Sequence, residues 1–353
     1  MIIVTVGPSC NEAQILQSMK QAGASCFRIN LSHTKQESLN FYWNLLSSQD
    51  IIPAIDTQGA QVRLNFKDKE SHDFAEDEDA TIHFDKVTFA KSLNDTDLFC
   101  PTNSLFDQIK VGMKLRCDFN SLLLVVSHIN YDEKIINLKV SRKGNFTSNR
   151  AIDLLGSKVK LPAITEYDRY AIDFAITKGL KTLFLSFTSS IEDVENLKKI
   201  APNVEIIAKI ESRKGLENID EIVSGADGIL VDRGDLSREI SIGLVPYAVE
   251  TVLDVCLKQN KPCYIATNVL DSMMTVDLPS RAEISDIWNL MSRGVSGFVL
   301  AAEAAIGAKP VESIQVVNHM QRLHKLSKHS FISLIDTDLL NTDLPNSSLT
   351  QWM

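Results

Sequence analysis

The chain carries 353 residues, 44% of them hydrophobic, with 36 basic against 45 acidic side chains and a net charge of −9. That length and apolar content can bury one large core and leave room for a second, smaller domain. An acidic balance without a basic stripe argues against nucleic acid as a partner. No apolar run reaches membrane-spanning length, so no membrane partner is expected. Six cysteines without CxxC spacing read as reduced, buried thiols rather than zinc ligands or a redox pair. The N-terminus enters a strand-like run at once, with no charged n-region and no cleavage site, so a cytoplasmic protein is expected.

Strand-like runs then alternate with amphipathic stretches: Ile2 to Val6 and a helix over Glu12 to Gln21, Cys26 to Asn30 and a helix over Gln36 to Leu46, then Ile52 to Asp56. From about Arg63 to Lys158 the pattern changes to short alternating segments, among them Ala80 to Phe84, Lys114 to Cys117, Leu122 to Val126 and Lys134 to Val140. Polar turns separate them, which predicts an inserted β-rich, β-barrel-like domain. The alternation resumes with a helix over Tyr167 to Lys178, a strand over Thr182 to Phe187 and a helix over Ile191 to Ile200. Strands over Val204 to Ala208 and Gly228 to Val231 follow, with a helical stretch from Arg213 to Val223 between them. A helix over Tyr247 to Gln259, a strand over Pro262 to Ala266, a helix over Arg281 to Arg293, a strand over Gly297 to Leu300 and a helix over Pro310 to Lys325 complete the series. Outside the insertion every strand precedes a helix, the pattern of an α/β fold: a (β/α)8 TIM barrel with an inserted domain after the third strand. The expected limits are 1–62 and 159–330 for the barrel, 63–158 for the insertion, and 331–353 for a polar C-terminal tail.

In such barrels chemistry sits at the C-terminal ends of the strands. The ends here read Arg28-Ile29-Asn30-Leu31-Ser32-His33, Asp56-Thr57-Gln58-Gly59 with Arg63 beyond, Ser186-Phe187, Lys209 with Glu211, Gly234 with Asp235, Thr267 and Glu303. A single acid is usually an unrelated surface charge, but Glu211 and Asp235 arrive on successive strands beside one lysine. Two close carboxylates repel, and a divalent cation resolves the repulsion while leaving positions for substrate oxygens. Arginines and a lysine around a metal point to a phosphorylated, polyanionic substrate. Asn30, Ser32, Asp56 and the Thr57 carbonyl form a second set of hard oxygens suited to another cation. Gly234 and Asp235 open a short helical segment whose N–H groups could hold a carboxylate or phosphate.

Taken together, these segments resemble the pyruvate kinase family. The likeness is carried by Thr5-Val6-Gly7-Pro8-Ser9, Arg28-Ile29-Asn30-Leu31-Ser32-His33, Asp56-Thr57-Gln58-Gly59, Val111-Gly112, Lys158-Val159-Lys160-Leu161-Pro162-Ala163 and Ala208-Lys209-Ile210-Glu211. It continues through Gly225-Ala226-Asp227-Gly228-Ile229, Arg233-Gly234-Asp235-Leu236, Ala266-Thr267-Asn268-Val269-Leu270-Asp271-Ser272-Met273 and Arg281-Ala282-Glu283-Ile284-Ser285-Asp286. The resemblance implies Mg²⁺ or Mn²⁺ on Glu211 and Asp235, with the Gly234 and Asp235 amides gripping the substrate carboxylate. It implies Lys209 on the transferring phosphoryl group and the enolate, Thr267 at the methylene carbon, and Arg28 on the phosphoryl group. It further implies K⁺ among Asn30, Ser32, Asp56 and Thr57, and nucleotide contacts from Arg63, Asn30, His33 and Arg150. The implied small-molecule partners are phosphoenolpyruvate or pyruvate and ADP or ATP.

The sequence departs from the family's usual pattern at several of these places. Gln58 stands for a lysine, Ala60 for a proline, Gln61 for a glutamate or lysine, Ser189 for an arginine, Asp232 for an alanine and Ser237 for a glycine. The segment Ala301-Ala302-Glu303-Ala304-Ala305 lacks two hydroxyls, Asp118-Phe119-Asn120 replaces an Asp-Asp-Gly turn, and Arg150 replaces a lysine. The family's C-terminal domain has no counterpart in these residues, so its effector regulation is not expected, and any homo-oligomer is expected to use barrel helices such as Arg281 to Arg293. Three readings stand open: a phosphotransferase making pyruvate and ATP, a divergent enzyme using a pyruvate-like enolate with another acceptor, and a non-catalytic binder of metal, small acids or a protein.

Overall fold

The computed structural model describes residues 1–59, 61–117, 122–155 and 161–327. The expected tail at 331–353, the Asp118-Phe119-Asn120 turn, Ala60 and the segment 156–160 lie outside the described residues. The chain divides into two compact units, Met1–Gly59 with Ala163–Met353, and Ala60–Pro162.

The first unit is a closed barrel of eight strands: Ile2–Thr5, Cys26–Asn30, Ala54–Asp56, Thr182–Leu185, Glu205–Ile210, Gly228–Asp232, Cys263–Ala266 and Gly297–Leu300, called here the first to eighth. Every neighbouring pair is parallel, and the first strand closes on the eighth with Ile3 opposite Val299. The fold class read from the alternation is therefore observed, with the insertion entering after the third strand. Several boundaries differ from expectation, among them the fifth strand, which runs Glu205–Ile210 and so contains Lys209, and three further ones have a local cause. The third strand starts at Ala54, just after Pro53, which has no N–H to give to a ladder. The fourth ends at Leu185 because Phe187 turns to φ +53. The stretch after the fifth strand is two helices, Arg213–Glu217 and Ile219–Gly225, separated by Asn218.

Side chains alternate across each strand, and the two faces go to different cores. On the fifth strand Ile206, Ala208 and Ile210 pack outward against the helices. Ile207 instead joins Ile3, Ala54, Phe184, Leu230, Tyr264, Ala266 and Val299 inside the barrel. Lys209, two residues after Ile207, shares that inward face one layer nearer the C-terminal rim. Local signals place the outer helices. Capping boxes at Thr165/Asp168, Ser190/Asp193 and Ser280/Glu283 start three of them, and Gly23 at φ +116 ends the first.

The second unit holds a seven-stranded sheet in the order Val62–Leu64, Arg150–Leu154, Lys114–Cys117, Leu122–Asn130, Ile135–Arg142, Asp79–His83 and Asp97–Phe99. Its pairs are antiparallel except the last. Asn65 and Phe99 exchange backbone hydrogen bonds of 3.0 and 2.8 Å, drawing the two edges together. Period-2 burial along Leu122–Asn130 and Ile135–Arg142 builds an apolar core of its own around Leu124, Val126, Ile136 and Leu138.

Candidate active site

The rim of the barrel concentrates buried charge. Lys209, 5% exposed, lies 2.8 Å from Glu211 Oε1, 3.4 Å from Asp56 Oδ1 and 3.8 Å from Asp232 Oδ2, and its ammonium donates to Ser186 Oγ at 3.2 Å. Arg28 reaches Asp56 Oδ2 at 2.7 Å, donates from Nε to Thr5 Oγ1 at 2.9 Å and lies over the Phe184 ring. Asp56 is thus held by two cations. Ser186 ties the cluster together by donating to the Thr57 carbonyl at 2.7 Å and to Asp56 Oδ1 at 3.3 Å.

Three carboxylates, Glu211, Asp232 and Asp235, bring one oxygen each to within 4.8 Å of one another. Burial and the charges of Asp232 and Asp235 push the Glu211 carboxyl up to about 8, against the pull of Lys209. Asp235 is raised by burial and by Asp232, although Arg238 stands 3.4 Å away. Burial acts on Asp232 too, but the Lys209 ammonium and the Thr267 hydroxyl outweigh it and hold that carboxyl low. Lys209 is desolvated as well, yet its ring of carboxylates raises its pKa, so the ammonium stays charged. Crowded acids, one of them fully buried, are chemistry that a divalent cation satisfies, and the donor set fits one. The donors grouped for potassium are hard oxygens too, but Asp56 already faces Arg28 and Lys209.

The backbone around these residues is strained. Phe187, Thr267 and Asn268 adopt φ of +53, +71 and +55, a region costly for bulky or β-branched side chains. Each is pinned. Phe187 donates its N–H to Glu211 Oε2 at 2.6 Å. The Arg233 guanidinium, paired with Asp286 at 2.6 Å, donates to the Thr267 and Asn268 carbonyls. Glu303, 2% exposed, accepts from the Val269, Leu270 and Ala301 N–H groups. Thr267 Oγ1 donates to Asp232 Oδ1 at 2.7 Å. A Cβ on Gly234 would lie 2.9 Å from Thr267 Cγ2, so this close approach admits only glycine without a shift.

Of the residues singled out from sequence, Arg28, Asp56, Thr57, Lys209, Glu211, Gly234, Asp235 and Thr267 lie on this rim, linked directly or through Ser186 and Asp232. Asn30 ends the second strand, where its Oδ1 accepts the Ser32 N–H at 2.9 Å, and Ser32 Oγ donates to the Gln58 carbonyl at 3.4 Å. His33 is exposed in the turn that follows. Arg63 and Arg150 belong to the inserted unit. Arg63 there donates to the Asn149 carbonyl and to Gln61 Oε1, both at 2.6 Å, and Arg150 is exposed at the start of its strand. Sequence reasoning overlooked Asp168. Fully buried, it accepts the N–H groups of Gln58 at 2.6 Å and Gly59 at 3.3 Å and fixes the loop after the third strand. Its one local trace was the Thr165-x-x-Asp168 capping pattern.

Comparison with known proteins identifies the family and the fold. A family model described as the barrel domain of pyruvate kinase matches residues 1–314. The pyruvate kinase of Bacillus licheniformis is 30% identical over 358 residues, covering 95% of this chain and 60% of that protein. That of Chlamydia trachomatis serovar D is 30% identical over 348 residues, covering 95% of this chain and 70% of that protein. The crystal structure of Cryptosporidium parvum pyruvate kinase superposes with a TM-score of 0.83 at 28% identity, covering 92% of this chain and 70% of that one. The chain spans 55% of the length of the Lactobacillus delbrueckii pyruvate kinase that it also matches. Among the described residues no helix is long and apolar enough to cross a membrane. With a matched family model over residues 1–314 and a relative at 30% identity of which it covers 70%, the chain belongs to the pyruvate kinase family.

Proposed function

We propose that this chain carries out divalent-metal-dependent transfer of a phosphoryl group from phosphoenolpyruvate to ADP, giving pyruvate and ATP. The observation that carries the reading is the buried Lys209 ammonium, held among Glu211, Asp56 and Asp232 on the strand ends where this fold does its chemistry. Phosphoryl transfer asks mainly for positioning and for positive charge at the transferring oxygens, not for a covalent intermediate. Arg28, fixed by Asp56 and Thr5, and Lys209 supply that charge with little reorganisation. Glu211 and Asp235 would hold the metal, which when bound polarises the oxygens of carboxylate and phosphoryl group. The Gly234 and Asp235 amides would orient the substrate carboxylate. As the phosphoryl group leaves, Lys209 would stabilise the enolate oxygen, and the family resemblance assigns the Thr267 hydroxyl to the carbon that takes up a proton. The family resemblance is what selects ADP as acceptor and suggests K⁺ on Asn30, Ser32, Asp56 and Thr57. The pairing of Asp56 with two protein cations leads us to expect a weak K⁺ requirement.

One observation favours a second reading. The Thr267 hydroxyl is committed to an additional acid, Asp232, and this suits a divergent enzyme that forms a pyruvate-like enolate but passes the phosphoryl group elsewhere. Pyruvate release from phosphoenolpyruvate with Mg²⁺, with and without ADP, separates the two, with Lys209→Met as the control. The variant should lose at least about 10²–10³ of the rate, the cost of removing one oxyanion donor. Retention of the rate by Lys209→Met would overturn both readings.

A further inference from the structure

The proposed chemistry uses Asp232 only as a neighbour of Lys209 and Thr267. Asp232 closes the sixth strand on the inward face, is 9% exposed, and aims its two oxygens at different neighbours. Oδ1 accepts the Thr267 hydroxyl at 2.7 Å, while Oδ2 lies 3.8 Å from Lys209 Nζ, beyond hydrogen-bond reach. Lys209 has closer partners in Glu211 at 2.8 Å, Ser186 at 3.2 Å and Asp56 at 3.4 Å. Neutralising Lys209 therefore does not explain a third acid.

Two observations point to a cation between the three. One oxygen each from Glu211, Asp232 and Asp235 falls within 4.8 Å of the others. Glu211, fully buried, has an Oε1 that meets the Lys209 ammonium as an ion pair but out of hydrogen-bond alignment, so a lone pair remains open. Oxygens on Mg²⁺ stand about 3 Å apart when adjacent and about 4 Å apart when opposite. The 4.8 Å limit exceeds that spacing by about 1 to 2 Å, so the three side chains would draw in on the ion.

Building on the metal site of the proposed function, we infer that Asp232 supplies a third carboxylate ligand, so that this chain holds the divalent cation with one more of its own side chains. A seat of two acids leaves most positions to water and substrate oxygens, whereas a third acid displaces a water and cancels further charge. The ion is then held more tightly by the protein alone. Because Oδ1 keeps the Thr267 hydroxyl while Oδ2 turns to the ion, the orientation of that hydroxyl becomes linked to occupancy of the seat.

The test is Mn²⁺ titration of the full chain without substrate, reading affinity by electron paramagnetic resonance and bound water by proton relaxation of the ion. Asp232→Ala should weaken binding by at least about 10-fold, since loss of even an outer-shell partner costs that much, and should add one exchanging water to the bound ion. Asp232→Asn keeps the volume and the acceptor for Thr267, which guards against misfolding, and should weaken binding as well. Unchanged affinity in Asp232→Ala, or weaker binding with the same water count, would overturn ligation by Asp232. Glu211→Gln separates the two levels: if it weakens Mn²⁺ binding while Asp232→Ala does not, only the third ligand fails. If neither changes it, the metal site fails with it.

Discussion

Two layers of the same strand faces line the barrel interior, and they do opposite things. The lower is Ile3, Ala54, Phe184, Ile207, Leu230 and Val299, and one pleat further along the same strands stand Thr5, Asp56, Ser186, Lys209, Asp232 and Ala301. The lower layer removes apolar surface from water and asks nothing of its neighbours beyond shape. The upper layer buries charge whose desolvation is repaid only if every partner is in place. Apolar packing and buried charge are thus separated by two residues of chain. The eighth strand contributes only Ala301 to the upper layer, so its polar contact comes from Glu303, which shapes the Thr267 loop.

The comparison breaks most readily at Lys209. Lys209→Met leaves Asp56, Glu211 and Asp232 facing one another without their shared ammonium, and removing one partner of a buried ion cluster costs about 3–5 kcal/mol. Urea unfolding should show that loss in metal-free protein, and a divalent cation should restore part of it. Ile207→Ala, one pleat below, should cost about 2–5 kcal/mol by leaving a cavity. Added metal should not recover that loss, and a recovery as large as for Lys209→Met would erase the distinction between the layers.

How far the sequence disclosed this architecture follows from the range of each interaction. Alternation of strand and helix is local, so the eight strands, their order and the entry of the insertion were legible from periodicity. Lys209, Glu211 and Asp235 were legible because they end successive strands. The fold does not write its long-range ties so locally. Asp168 lies 110 residues from Gln58, and nothing near either announces their 2.6 Å hydrogen bond. Ser186 looked like a strand end until the barrel closed and set it between Lys209, Asp56 and Thr57. Asp232 appeared only as an unusual residue; its meeting with Thr267, 35 residues away, needed two adjacent parallel strands in register. The early end of the fourth strand reflects the left-handed backbone of Phe187, which its side chain disfavours and which the Glu211 carboxylate holds.

Gly59 sharpens the comparison with a smaller effect, because it supports the upper layer without carrying charge. At φ +69 it sits where a Cβ would come within 2.7 Å of Phe187 Cδ2 and 2.8 Å of Ser186 Cβ. Gly59→Ala combines a left-handed alanine, about 1–2 kcal/mol, with displacement of Ser186 from its contacts. The rate should fall by a larger factor than the unfolding midpoint alone would suggest. A variant that loses stability but keeps full turnover would show that Ser186 does not position Lys209.

The smallest effect belongs to a charge that is solved locally, outside both layers. Glu283 is half-buried at the start of helix Arg281–Ser292 and accepts the Ser272 N–H at 2.8 Å and the Ser280 N–H at 2.7 Å. Burial raises its pKa, but these bonds and those from the serine hydroxyls outweigh it and hold the carboxyl below its ordinary value. A carboxylate with a depressed folded pKa contributes stability above its unfolded pKa, about 4.3, and loses it as pH falls through the lower folded value. Wild-type protein should therefore lose stability in that acid window, and Glu283→Gln should flatten this part of the profile while leaving the difference between the Lys209 and Ile207 variants at neutral pH unchanged. An identical acid profile in Glu283→Gln would mean that its capping bonds do not favour the ionised form, and that carboxylates elsewhere set the acid limb.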